Sequence, residues 1–269
     1  MRKPKARLGH DTSQQHALLL AATDLEVGYN GLAILPAVSF VVSRGQFWAV
    51  LGRNGSGKTT MLRSLVGLHA PVRGLVERAS GRLVSFVPQR TSIHDTIPAR
   101  VIDIVAGGVD TGWSFLRRPG AEKRRRVEKA LDETSTGELA RHDFRELSEG
   151  QRQRVLLARA LAASADVIVL DEPASAMDAP SETQLYEVLH HLRSERSLSV
   201  VLVSHHIDIT VRYATHAIFC DRGADTVLAG EIEDIVATRA FRHCYALPDA
   251  EDACEPGAHL ARSAKGGAR

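Results

Sequence analysis

The chain has 269 residues, 44% hydrophobic and 25% charged, with 34 Lys and Arg against 32 Asp and Glu for a formal net charge of +2. This composition excludes the disordered, collagen-like and disulfide-dense classes, and so even a charge balance gives no support to a nucleic-acid footprint. The length suits one large α/β domain, or a core domain with a smaller subdomain, since single cores stop growing near roughly 250–300 residues.

In chain order, Met1 to Arg7 are basic and precede the short run Leu18-Leu19-Leu20. His16 interrupts the approach and Thr23 to Val27 continue into alternating sequence, so residues 1–16 read as a flexible arm rather than a signal peptide. Ala17 to Val27 and Ala37 to Val42 read as strands around the turn-rich Gly28-Tyr29-Asn30-Gly31. The buried-type run Phe47 to Leu51 ends at a glycine-rich loop, and Thr60 to Leu68 follow with helical apolar spacing. Leu83 to Val87 form another strand, closed by Pro88. From Thr91 to about Arg145 the pattern turns helical, and a further helix covers Glu149 to Ala163. Then come the strand Val167 to Leu170, the helix Ser181 to Arg193 and the strand Ser199 to Val203. Strands alternating with helices imply an α/β fold, with a mostly parallel sheet covered on both faces. Residues 249–269 lack periodicity and read as a flexible tail. No apolar run approaches the roughly 18 residues that span a bilayer. Cys220, Cys244 and Cys254 include no CxxC pair, so neither a disulfide framework nor a thiolate zinc site is indicated. The pairs His190-His191 and His205-His206 do not suggest a zinc site either, because helical neighbours point apart.

The loop Gly52-Arg53-Asn54-Gly55-Ser56-Gly57-Lys58-Thr59 fits G-x-x-x-x-G-K-[ST] and lies between a buried strand and a helix. Its glycines let backbone N–H groups turn inward on phosphates, and the helix N-terminus adds partial positive charge. Lys58 supplies a point charge for the β/γ-phosphates and the Thr59 hydroxyl is a ligand for Mg²⁺. The run Val167 to Leu170 delivers Asp171 and Glu172 at a strand's C-terminal end, the edge where open α/β sheets bind ligands. There Asp171 suits Mg²⁺ and Glu172 an attacking water. Leu147-Ser148-Glu149-Gly150-Gln151 opens a helix either as a simple Ser N-cap or as an anion site. His205 follows a β-type run, where its ring faces the phosphate edge or serves structure alone.

With these motifs in this order, the chain resembles the nucleotide-binding ATPase subunit of an ABC transporter, from about Leu18 to Gly230. Gly52 to Thr59 match the Walker A loop, Gln89 the Q-loop, Leu147 to Gln151 the signature, Val167 to Glu172 the Walker B strand, Ser175 to Asp178 the D-loop and His205 the switch histidine. The resemblance implies a P-loop NTPase of the ABC ATPase fold over 17–248, a mostly parallel core sheet with an antiparallel β subdomain and an inserted helical subdomain at about 91–163. It implies an aromatic contact to adenine from Tyr29, and further ATP contacts from Gly52, Asn54, Gly55, Ser56, Gly57, Lys58, Thr59 and Thr60. Ser148, Gly150 and Gln151 of a second copy are implied to close over that ATP. Glu172 is implied as general base, His205 and Gln89 as further catalytic groups, and Thr59, Gln89 and Asp171 as Mg²⁺ contacts. Glu149 stands where the commonest signature has glycine, and Met177 where leucine is usual in the D-loop.

The stretch Pro88-Gln89-Arg90, Asp95, Pro98, Val101, Asp103, Val105, Gly107, Trp113 and Leu116 to Pro119 is similar to manganese and zinc uptake ATPases. That implies a homodimer at the cytoplasmic face of the cell membrane, permease subunits docked after Gln89, an extracytoplasmic solute-binding protein in the same system, and no nucleic acid. Two other classes stay open at this point: a soluble ABC ATPase of nucleic-acid repair or translation, and a P-loop kinase, which leaves Ser148 to Gln151 and His205 without work.

Overall fold

The structure is a computed structural model and describes residues 18–89, 98–109 and 120–247. The expected arm at 1–16, the tail at 249–269 and the positions Arg90, Asp95, Trp113, Leu116–Pro119 and Cys254 lie outside the described residues.

The chain opens with β1 (Leu18–Glu26), the short pair β2 (Gly28–Tyr29) and β3 (Leu32–Ala33), then β4 (Val38–Ser43) and β5 (Phe47–Leu51). Helix α1 (Lys58–Leu65) leads to β6 (Arg73–Arg78) and β7 (Val84–Val87). A helical stretch follows with α2 (Val101–Ala106), α3 (Ala121–Glu133) and α4 (Glu149–Ala162). The chain returns through β8 (Val167–Asp171), α5 (Ala179–Arg196), β9 (Ser199–Val203) and α6 (Ile207–Tyr213). It continues with the hairpin β10 (His216–Asp221) and β11 (Thr226–Glu231), then α7 (Ile232–Ala237) and α8 (Arg239–Cys244).

The six-stranded sheet has the order β11-β10-β5-β9-β8-β7, parallel except for β11. Each residue of β5, β8 and β9 is buried, as expected of parallel strands covered on both sides. The period of two sorts them. Phe47, Ala49, Leu51, Ile168, Leu170, Val200 and Leu202 join the core shared with α4 and α5. Trp48, Val50, Val167, Val169, Val201 and Val203 face the other way, toward α1 and β1. That second face is roofed by the antiparallel sheet β4-β1-β6. Strand β6 gave no sequence signal because none of its residues is fully buried; pairing with β1 alone makes it a strand.

Helices α2, α3 and α4 pack together through Val101, Val105, Val127, Leu131, Leu157 and Leu161. Beyond β9, Phe219 of β10 meets Phe241 of α8 edge to face at 5.4 Å, and Tyr245 lies 4.8 Å from Phe241. This aromatic group holds the last described helix beneath the central strands. Phe219→Ala is expected to lower unfolding free energy by roughly 3–5 kcal/mol through the cavity it leaves, read from the urea midpoint with an unchanged m-value.

Candidate nucleotide site

Parallel register brings four strand ends to one edge. Asp171 pairs with Val203, Leu170 with Leu202 and with Val87, and Val50 with Val203. The residues that follow, Gly52 onward, Glu172, Ser204-His205 and Pro88-Gln89, therefore emerge side by side.

The loop after β5 folds as its glycines require. Gly52 has φ 144°, and a Cβ there would lie 2.2 Å from the Cys220 carbonyl oxygen and 2.6 Å from the Ser56 hydroxyl. Gly57, at φ 97°, is the N-cap of α1 and exposes the helix's first N–H groups. Lys58 is buried and doubles back, donating from Nζ to the carbonyls of Gly52 at 2.8 Å and Arg53 at 2.9 Å. An ammonium has three N–H donors, so one is left over for a phosphate oxygen. Burial pulls the Lys58 pKa below its ordinary value, outweighing the upward push of the nearby Glu172 and Asp171 carboxylates. An arriving phosphate compensates the same desolvation.

Thr59 donates to Asp171 Oδ1 at 3.2 Å. Burial raises the Asp171 pKa, the Thr59 hydrogen bond lowers it, and the neighbouring Glu172 carboxylate raises it again. The Asp171 carboxylate and the Thr59 hydroxyl, partly withdrawn from water, are oxygen donors of the kind that would fit a Mg²⁺ ion. Glu172 has a left-handed backbone with φ 47°, uncommon for a non-glycine residue and characteristic of functional sites. Gln89 Nε2 donates to Glu172 Oε2 at 2.8 Å, and His205 Nε2 donates to Glu172 Oε1.

A cleft of about 900 Å³ is lined by Asn54, Gly55, Gly57, Lys58, Thr59, Thr60, Glu172, His205 and Tyr29; Gly52, Gln89 and Asp171 are not among its lining residues, and the last two join it through their bonds to Glu172 and Thr59. Tyr29, half exposed, donates or accepts a 2.9 Å hydrogen bond with Thr60 and packs its ring 4.9 Å from that of His69. Its hairpin turns at Asn30 (φ 53°) and Gly31 (φ 77°), the paired positive values of a type I′ turn. The Asn-Gly dipeptide was thus a hairpin signal, and the apolar wall Leu32, Ala33 and Ile34 comes with it. Arg222 also lines the cleft, from the β10–β11 turn, and had no signal in the sequence.

Ser56 lies off this cleft, on an adjoining recess with Asp221, Arg222 and Cys244. Ser148, Gly150 and Gln151 are not among the lining residues of the cleft. Instead they begin α4 with a capping box: Gln151 N donates to Ser148 Oγ at 3.3 Å, and Ser148 N donates to Gln151 Oε1 at 2.9 Å. The N-cap alternative is therefore physically present. Yet the box consumes only acceptors, leaving the Ser148 O–H and the Gln151 amide N–H groups as donors. Glu149 pairs with Arg152 at 3.7 Å. Met177 packs against the core, and Gly150 lies so close to the D-loop helix that a Cβ would be 3.1 Å from that of Ser181.

The ABC transporter family model matches residues 35–175, more than half of the chain. The chain belongs to the ABC transporter family. It is an ATP-binding and ATP-hydrolysing cassette of that family. The zinc import ATP-binding protein ZnuC of Chromohalobacter salexigens is 34% identical over 88% of this chain and 92% of its own. The high-affinity zinc uptake system ATP-binding protein ZnuC of Bacillus subtilis is 31% identical over 76% of this chain and 92% of its own. Among solved structures, a transporter described as an ABC transporter of the metal-chelate type, in an inward-facing conformation, is 30% identical with a TM-score of 0.76, covering 86% of this chain and 90% of that one. The cassette's core sheet, antiparallel sheet and helical stretch agree with this family's fold.

The steric limit at Gly52 separates two glycines of the loop. Gly52→Ala is expected to abolish binding of a fluorescent ATP analogue. Gly55→Ala, where a Cβ meets nothing within 4 Å, carries only the strain of its φ of 78° and is expected to retain measurable binding.

Proposed function

We propose that this cassette is the motor of an importer for a divalent metal, zinc or manganese, and that it works on a separate membrane permease. The observation that carries the ATP half is the meeting of Lys58, Thr59, Asp171, Glu172, Gln89 and His205 at one edge of the sheet. The names of the zinc-import relatives support the cargo.

In this reading Lys58 takes the β/γ-phosphates with its remaining N–H, and Tyr29 with Leu32 and Ile34 receives the adenine. Thr59, Gln89 and Asp171 hold Mg²⁺, which when bound neutralises charge developing on the phosphates. Glu172 takes a proton from the attacking water, and His205 gives a hydrogen bond to the γ-phosphate. The short contacts from Gln89 and His205 hold the Glu172 carboxylate in place until nucleotide arrives. Gln89 also stands where β7 leads toward the helical subdomain, so its contact carries the state of the site to that layer.

Each chain forms half a site. Ser148, Gly150 and Gln151 stand away from their own cleft with free donors, which suits closure over the ATP of a second copy in a homodimer. Asp178, the N-cap of α5, would couple the two sites across such a dimer. Between β7 and α4 runs a groove of about 290 Å³ lined by Phe86, Pro88, Gly107, Gly108, Leu156 and Arg159. It suits a permease helix. No described helix is long and apolar enough to cross a membrane, so attachment to the cytoplasmic face through the permease fits this chain. A solute-binding protein outside the membrane completes the proposed system.

Lys58→Ala is expected to abolish ATP turnover. Glu172→Gln is expected to bind ATP and accumulate as a dimer in gel filtration with Mg-ATP; wild-type turnover in that variant would remove Glu172 from the role of base. Purification from membranes is expected to bring down an integral membrane protein, whereas recovery of ribosomes or DNA instead would favour the soluble class.

A further inference from the structure

His206 is unexplained by the site. It is the N-cap of α6, a position that favours Ser, Thr, Asp or Asn, yet its side chain makes no capping bond. Its imidazole instead turns to α5, where Nδ1 lies 2.6 Å from both carboxylate oxygens of Glu182. A carboxylate only accepts, so Nδ1 carries the hydrogen. Glu182 is 7% exposed, and a carboxylate so deeply buried is costly without a partner. The imidazole is that partner.

The backbone of His206 is held as tightly as its ring. Its N–H donates to Ser204 Oγ at 3.0 Å. Its carbonyl accepts from Thr210 Oγ1 at 2.6 Å, and because that hydroxyl's proton is spent there, Tyr186 donates to the same oxygen at 2.7 Å. Tyr186 is buried and stacked on Phe47 of the central sheet. Glu182 and Tyr186 are four residues apart and share one face of α5. Helix α5 therefore holds the His206 ring directly through Glu182, and reaches its carbonyl only through Tyr186 and the intervening Thr210 hydroxyl. By contrast, the ring of the preceding residue, His205, is joined to Glu172, a partner it must leave to reach a phosphate.

We propose that Glu182 and His206 form a latch that positions His205, so that the switch histidine moves by side-chain rotation on a fixed peptide. This rests on the reading of His205 as the γ-phosphate contact. Glu182 and His206 are positioning residues that touch neither nucleotide nor water. The latch also joins the D-loop to the switch: the Glu182 N–H donates to the Asp178 carbonyl at 3.0 Å, one helical turn away.

The test is steady-state ATPase on the full chain with His205→Ala, His206→Ala, Glu182→Ala, Glu182→Gln and the Glu182→Ala/His206→Ala double variant, each with a melting curve. His206→Ala leaves the buried Glu182 carboxylate without its partner and is expected to lower the melting temperature, whereas the double variant removes the carboxylate together with its partner and is the folding control. His206→Ala is expected to lower kcat about tenfold with KM for ATP nearly unchanged, as misplacement of one group costs turnover rather than binding. Glu182→Gln, which keeps an acceptor for Nδ1–H, is expected to restore most of the kcat lost in Glu182→Ala. The double variant is expected to be no worse than His206→Ala, since the two act as one unit. Wild-type kcat in His206→Ala beside an inactive His205→Ala would overturn the latch alone. Wild-type turnover in His205→Ala would overturn the reading beneath it, and the latch with it. Additive losses in the double variant, or equal changes in kcat and KM, would also overturn the latch.

Discussion

Parallel pairing of β7, β8, β9 and β5 obliges every segment that leaves these strands to leave at the same edge. The register does the rest, because Asp171, Val203 and Val50 lie at one level. Four loops far apart in sequence then share one crevice without any of them reaching for it. An antiparallel sheet of the same strands would send half of them to the opposite edge. The chemistry of the cassette is in this sense a by-product of strand direction, which the helical crossovers enforce.

That convergence concentrates charge where water is scarce. Lys58 gives up hydration and recovers it from two carbonyls of its own loop, while Asp171 recovers only a single hydroxyl. Glu172 divides its two oxygens between Gln89 and His205. Each group is thus provisionally satisfied by a neighbour with which it has no permanent bond. Such a site holds its geometry when empty and releases it at modest cost when phosphates bring better partners.

The parts of the fold legible in the sequence were those whose burial is strictly periodic. Strands β5 and β9 were read to the residue, and β8 to within one, because nothing polar interrupts runs buried on both faces. Strand β6 and the hairpin β10–β11 were not read. The former has exposed side chains and exists only by pairing, whereas Ala217 to Cys220 of β10 is a buried apolar run like those of β5, β8 and β9 that the reading passed over, four residues being too short to tell a strand from a helix by periodicity. For the site, spacing located the phosphate loop and acidic pair, because those chemistries sit on consecutive residues. Arg222 and Glu182 had no such signature: one arrives on a turn from the far side of the sheet, the other lies within an ordinary amphipathic helix.

The capping box at Ser148 has a consequence for closure. A helix start that waited for an anion to satisfy its first N–H groups would have to order itself at the moment of contact, and that ordering would be subtracted from affinity. Here Ser148 and Gln151 already complete one another, so the first turn of α4 is ordered in advance. In the closure proposed above, contact with a phosphate would resemble two rigid parts meeting rather than a segment folding, with little conformational entropy lost in the encounter. Release is correspondingly quick to reverse, since nothing unfolds when the parts separate.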